Sequence, residues 1–157
     1  MKTINEIERK WLLSELPDIE FDYTVDITQY YTGGIRYRKE VLNGMVSFFK
    51  IEKKTVSPGI NAETLHETDC DEFNSNFPCG LKPIHKLRHV INYSDHKFEV
   101  DVFDNHLVIL EVELQKLTEF FNFQPDLLKV IIKEVTTEPR FSNYQLFNEW
   151  NNLKSRS

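Results

Sequence analysis

The sequence predicts a mainly β protein of the α+β class, an antiparallel sheet or barrel covered by helices. Three observations carry that prediction. Charged and apolar residues alternate with a period of two in one segment after another, glycine-rich turn signals separate those segments, and helical patterns fall between and after the strands instead of alternating with them. The chain has 157 residues, 40% of them hydrophobic, which is enough to bury an ordinary core. No repeat, low-complexity tract or charge block divides it. Residues 1–157 are therefore expected to form one domain.

The strands follow in order. From Glu6 to Trp11 the face carrying Glu6, Glu8 and Lys10 alternates with the face carrying Ile7, Arg9 and Trp11. Thr32-Gly33-Gly34 is a turn signal, and Ile35-Arg36-Tyr37-Arg38 repeats the alternation after it. Val46 to Glu52 sets Phe48, Lys50 and Glu52 against Phe49 and Ile51. Pro58-Gly59 marks a loop before the next strand. His85 to Ile91 places Lys86 and Arg88 together, and Phe98 to Val102 and Leu110 to Leu114 each put carboxylates on one face and apolar residues on the other.

Helices are predicted in four places. Thr68 to Phe77 reads as a short helix and Gln115 to Phe123 as another. Pro125 suits a first helical position, with Leu127, Leu128, Val130 and Ile131 following. Ser142 can cap a terminal helix whose Leu146, Phe147, Trp150 and Leu153 keep helical spacing. That stripe and Phe120 to Phe123 read as core or packing surface, with a homodimer face as the alternative.

The net charge of −6 speaks against a general nucleic-acid or anionic-membrane surface, because such surfaces are basic. Any phosphate site has to be a local basic pocket. Cys70 and Cys79 have neither metal-ligand spacing nor a disulfide framework around them and are read as structural thiols of a reducing compartment. Met1 to Arg9 is too charged for a signal peptide, and no apolar stretch is long enough to span a membrane. A soluble, cytoplasmic protein is expected.

For a single strand, a charged face is most simply a solvated face. Here the pattern recurs. The positive set is Lys10, Arg36, Arg38, Lys50, Lys86 and Arg88; the negative set is Glu6, Glu8, Glu99, Asp101, Glu111 and Glu113. Like charges about 4 Å apart repel by about 4 kcal/mol at an effective dielectric near 20, so something must compensate them. If these faces line the inside of a closed barrel, the cations can bind phosphate oxygens and the carboxylates can bind a hard divalent ion that bridges to the same phosphates. None of the histidines makes a nucleophile arrangement with Cys or Ser.

Glu6-Ile7-Glu8-Arg9-Lys10 is similar to the ExExK signature of the CYTH family, the triphosphate tunnel metalloenzymes named for class IV adenylate cyclase and thiamine triphosphatase. The resemblance continues in the family's order through Gln29-Tyr30-Tyr31, Arg36-Tyr37-Arg38, Lys50, Glu63, Lys86-Leu87-Arg88, Glu99-Val100-Asp101, Glu111-Val112-Glu113, Glu134-Val135-Thr136 and Arg140-Phe141-Ser142-Asn143. It implies a closed eight-stranded antiparallel β-barrel tunnel with surrounding helices, magnesium or manganese at two sites, and hydrolysis of a triphosphate, with inorganic tripolyphosphate the simplest substrate. By motif, Lys10, Arg36, Arg38, Lys50, Lys86 and Arg88 would hold phosphates, with Arg140 reaching in near the mouth. Glu6, Glu8 and Glu113 would share one metal, and Asp101 and Glu111 would serve the second, with Glu63 also among the ligands. Lys10, Asp101 and Glu111 form the implied catalytic set. Adenylate cyclisation, thiamine or nucleoside triphosphate hydrolysis, and non-catalytic polyphosphate sensing are the alternatives.

The chain also departs from the family. Phe48 stands where a threonine often precedes the lysine matched by Lys50, and the RxExE strand appears as Asn61-Ala62-Glu63-Thr64-Leu65, which keeps only the first glutamate. Glu67 or Asp69 could replace the missing one only through a two-residue slip in register.

Overall fold

The computed structural model describes residues 2–153. Strands β1 (Lys2–Leu13), β2 (Tyr23–Thr32), β3 (Ile35–Leu42), β4 (Met45–Ser57) and β5 (Ile60–Thr68) precede helix α1 (Cys70–Ser75). Strands β6 (Ile84–Tyr93), β7 (His96–Phe103) and β8 (Val108–Leu114) follow, then α2 (Pro125–Leu128), β9 (Ile131–Glu134), a 3-10 turn (Pro139–Phe141) and α3 (Asn143–Trp150). All pairings are antiparallel, in the order β5-β4-β3-β2-β6-β7-β8-β1-β9. Strand β1 also pairs with β5, which closes the first eight strands into a barrel and leaves β9 as a short addition. The expected barrel is present, and its helices are few and short.

Tight turns set the register. Asn43 and Gly44 both have positive φ (51° and 78°) and join Leu42 directly to Met45, the two-residue turn that suits the twist of a hairpin. Gly33-Gly34 and Ser94-Asp95 join β2 to β3 and β6 to β7 in the same way.

Most apolar side chains point out of the barrel and are covered there. Trp11 meets Phe121 and Phe123 edge-on, while Tyr30 and Tyr37 stack and pack on Phe73 of α1. At one end the inward residues also become apolar. Ile84, Phe103 and Ile109 join Phe141, Leu146 and Phe147 in one cluster, so α3 closes that end. Ser142 caps α3 as expected, its hydroxyl accepting from the Gln145 amide at 3.2 Å.

One helix expectation fails and one is cut short. Residues 115–123 form no helix: Phe121 and Phe123, two apart in extended chain, both reach Trp11, Phe120 is left exposed, and His96 pairs with Glu119. The helix from Pro125 stops at Leu128, because Ile131 joins β9 and pairs with Leu13. Among the described residues no helix is long and apolar enough to cross a membrane.

Candidate active site in the barrel interior

Antiparallel partners share a face, so the register decides which charges meet inside. Lys10 lies opposite Glu111, which lies opposite Glu99; Arg88 lies opposite Asp101, and Lys53 opposite Glu63. Two cavities of about 500 and 360 Å³ share Glu8, Arg36, Lys53 and Asn143 as a common waist. Lys10, Tyr31, Thr136 and Tyr144 line the larger, beside the N-terminus of α3. Glu6, Arg38, Glu63, Arg88, Glu111 and Glu113 line the smaller.

The charges form a network. Lys10 Nζ is 3.6 Å from Glu111 and 3.8 Å from Glu8. Lys53 Nζ is 3.4 Å from Glu6 and 3.8 Å from Glu8. Arg88 donates to both oxygens of Asp101 at 2.8 and 2.9 Å and lies 3.1 Å from Glu99. Lys86, fully buried, donates to Asp101 at 2.9 Å and to Asn143 Oδ1 at 3.0 Å, where Gln29 also donates at 2.9 Å.

Proton affinities diverge inside this network. Burial works against the ionised form of Glu6, yet the Lys53 ammonium overrides it and holds the carboxyl at about 2. Burial, then the charges of Glu111 and Glu6, push Glu8 well above the usual carboxylate range despite Lys10. Burial and Glu6 likewise raise Glu63. Glu99 rises to about 7 through burial, with Glu111 adding and Arg88 opposing. Asp101 and Glu111 move down against the cost of burial, the first through Arg88 and Lys86, the second through Lys10 and Arg88. Burial lowers Lys86 to about 8 even beside Asp101, and burial with Arg36 and Arg88 nearby lowers Arg38 to about 10.

The cation side is not saturated by these carboxylates. Arg36 reaches Glu63 only at 3.4 Å and Arg38 reaches Glu40 at 3.3 Å. The Nε atoms of both arginines are buried without an acceptor. Buried donors without partners are costly, and an anion supplies what they lack.

Of the residues singled out from sequence, Glu6, Glu8, Lys10, Arg36, Arg38, Glu63, Lys86, Arg88, Glu99, Asp101 and Glu111 line or face the interior, with Glu113 at its outer edge, 3.9 Å from Lys97. Two do not. Lys50 is on the outer face beside Tyr37 and pairs with Glu72 of α1 at 3.7 Å. Lys53 takes the inward place. Arg140 is exposed in the 3-10 turn, over the Phe141 ring, and borders a separate surface pocket with Trp150 and Glu149. Asp101, expected to bind metal, has both oxygens engaged by Arg88 and Lys86 and so anchors those cations.

The register accounts for the departures too. Phe48 is also outside, packed on Phe73, and Ile51 is the residue two before the inward lysine. No slip brings Glu67 or Asp69 inside: Leu65 stays opposite Ile51, Glu67 is exposed, and Asp69 caps α1 by accepting from Glu72 N. Lys53 was legible through the Asn43-Gly44 turn, which passes the inward parity of Arg36 and Arg38 to Phe49, Ile51 and Lys53. Gln29 and Asn143 stood in the matched motifs, but nothing in the sequence assigned them a contact.

The donor chemistry fits a hard divalent ion. Glu6, Glu8, Glu63 and Glu111 line one cavity. Burial first, and then neighbouring carboxylate charge, raises Glu8 and Glu63, and a cation among these groups would relieve that charge. Among the described residues no three such side chains form a ready cage, and magnesium is characteristically held by one or two carboxylates together with substrate phosphates and water.

A scan against protein-family models finds no match, and neither does a search of curated proteins. Solved structures do match. The inorganic triphosphatase NE1496 aligns at 26% identity over 92% of this chain and 95% of its own, with a TM-score of 0.59. PH1819 from Pyrococcus horikoshii OT3 aligns at 17% identity over 79% and 82%, with a TM-score of 0.52. The candidate adenylate cyclase bh2851 from Bacillus halodurans aligns at 16% identity over 74% and 83%, with a TM-score of 0.51. With its closed eight-stranded barrel and charge-lined interior, the chain has the CYTH-like triphosphate tunnel fold.

Proposed function

We propose that this protein hydrolyses a linear triphosphate, inorganic tripolyphosphate first, with a divalent metal ion inside the barrel. The observation that carries the reading is the pair of buried guanidinium groups of Arg36 and Arg38, each with an Nε that has no acceptor, in a cavity that Lys53 and Arg88 also line, with Lys10 in the adjoining one. Four of these cations on one cavity, with a fifth in the cavity that adjoins it, match a polyanion and leave a neutral or cationic ligand without a reason to bind. The likeness to NE1496, described as an inorganic triphosphatase, supports the same reading.

In this reading Arg36, Arg38 and Arg88 orient the chain of phosphates, and Lys10 and Lys53 neutralise oxygens nearest the carboxylates. Glu111 and Glu8 hold Lys10 in place, and Asp101 aims Arg88 and Lys86. Glu6, Glu8, Glu63 and Glu111 would hold magnesium or manganese, which when bound supplies charge neutralisation of phosphate oxygens and activation of water. Catalysis is positioning plus electrostatics, as phosphoryl transfer generally is.

A second reading is an organic triphosphate, favoured by Tyr31, Ile51, Pro139 and Tyr144 around the larger cavity. Phosphate release from tripolyphosphate, ATP and thiamine triphosphate, each with magnesium, manganese or chelator, separates the two. Metal-dependent release from tripolyphosphate above the others supports the first, and preference for an organic triphosphate the second. Cyclic AMP from ATP would instead select a cyclase. No release and no rise in melting temperature with any triphosphate would overturn all three.

A further inference from the structure

Strand β1 changes partner along one edge in the middle of the site. Residues Lys2–Ile7 pair with β5 and residues Trp11–Leu13 with β9, so Glu8, Arg9 and Lys10 lie in a gap between two ladders. Single contacts close that gap. The Glu8 amide donates to the Gly59 carbonyl at 3.0 Å, and the Val135 amide donates to the Lys10 carbonyl at 2.8 Å. The Lys10 amide donates to Thr136 Oγ1 at 2.9 Å. A side-chain hydroxyl thus replaces a strand carbonyl at the residue whose ammonium enters the tunnel. Because the Glu8 and Lys10 amides point to this edge, Lys10 faces Glu111 of β8 as a non-hydrogen-bonded pair, the spacing that brings side chains closest.

The hydroxyl has little freedom. It holds one proton, which it donates to Glu134 Oε2 at 2.6 Å, leaving its lone pairs for the Lys10 amide. Glu134 is gripped from outside by Arg9, through Nε at 2.8 Å and a terminal nitrogen at 2.6 Å. Arg9 lies over the rings of Trp11 and Phe121, at 5.0 and 5.7 Å. A line of directed bonds therefore runs from the outer aromatic cluster to the backbone of Lys10. The Thr136 methyl has a separate contact. A Cβ added to Gly59 would fall 3.2 Å from it and 3.1 Å from the Glu8 carbonyl, so the methyl packs on the turn that holds Glu8.

We propose that Thr136 is a positioning residue for Lys10 and Glu8, and that the Arg9–Glu134 pair acts on the tunnel through it. The proposal rests on the triphosphate reading of the tunnel. Valine keeps the shape and the methyl of Thr136 but leaves the Lys10 amide without its acceptor at the cavity wall. Serine keeps the acceptor and loses the methyl. A misplacement on the order of 1 Å is enough to cost about 100-fold in rate.

The test uses the full chain with Thr136→Val, Thr136→Ser and Glu134→Gln, the last serving if the valine variant does not fold. Three quantities are read: kcat and KM for tripolyphosphate, amide hydrogen exchange at Lys10, and the acylation rate of the Lys10 amine. Thr136→Val should lower kcat by about 10- to 100-fold, with KM changed less than about threefold and Lys10 exchange faster by about tenfold or more. Thr136→Ser should stay within about threefold of the parent, and Glu134→Gln should fall between the two. Equal impairment by serine and valine would assign the effect to methyl packing and overturn the proposal, as would unchanged kcat in the valine variant. If the parent releases no phosphate, the triphosphate reading fails by itself. Lys10 exchange and acylation then decide: a difference between the valine and serine variants upholds the positioning role, and equality overturns it.

Discussion

Asp101 accepts from Arg88 at both of its oxygens and from Lys86 at one of them, and it lies almost wholly out of contact with solvent. Removing one member of such a group leaves the others charged and unpaired, which costs about 3–5 kcal/mol. Asp101→Ala should therefore lower the melting temperature by many degrees. Asp101→Asn keeps the shape and should be milder in stability, yet weaken tripolyphosphate binding by about tenfold or more through misaimed cations. Calorimetry of both variants, with and without tripolyphosphate, checks this.

Lys50 and Lys53 give opposite expectations from the same type of residue. Lys53→Ala removes the cation shared by Glu6 and Glu8 at the tunnel waist and should raise KM for tripolyphosphate by about tenfold or more. Lys50→Ala breaks only an outer pair with Glu72, worth less than about 1 kcal/mol. Arg140→Ala belongs with Lys50. Steady-state kinetics on the three variants would contradict the assigned register if Lys50 proved the more sensitive.

Lys10→Ala and Glu111→Ala should each lower turnover by about 100-fold or more while leaving the barrel folded. Combined, they should lose far less than the product of the single effects, because the two side chains contact each other. Circular dichroism alongside the double-mutant cycle separates lost chemistry from lost structure.

His85 offers a pH test outside the tunnel. Burial lowers its proton affinity, but hydrogen bonds to Asp104 at 2.7 Å and Asp26 at 2.9 Å outweigh that and raise it. The folded state thus binds the proton more tightly than the unfolded chain does, so the contribution is complete below the unfolded pKa of about 6.5 and fades as pH rises through the folded value. It stays under about 1 kcal/mol because the ring is partly exposed. Thermal melts of the parent and His85→Gln should diverge at acid pH and converge at alkaline pH; a constant gap would contradict the linkage.

The alternating charge made the barrel readable, since no other arrangement gives carboxylates and cations on so many strands a common purpose. Strands β2 and β9 were harder to see. Strand β2 carries polar Thr24, Asp26 and Thr28 outside and Val25, Ile27 and buried Gln29 inside, a weak charge signal. Strand β9 is four residues long and is held by β1 alone. Lys50 was misplaced because lysines cluster in β4 and local alternation does not say which parity is inward. That information sits in the Asn43-Gly44 turn and has to be carried across the hairpin. Arg140 was misplaced because a sequence match gives position along the chain and not the direction of a side chain in a 3-10 turn. The Phe120 to Phe123 tract looked helical because alternating aromatics in a short window do not reveal the Trp11 surface they cover.

Closure of the barrel has a consequence for how the protein is made. Strand β1 is synthesised before the strands that complete its edges, β5 and β8, with Lys2 opposite Leu65 and Ile7 opposite Leu114. The strand holding Glu6, Glu8 and Lys10 therefore waits with an unpaired edge until β8 has been synthesised. Long-range pairing of this kind makes folding slow and exposes strand edges in the meantime. Glutamates and lysine along a waiting edge oppose its self-association, so the charges that line the finished tunnel also guard the nascent polypeptide.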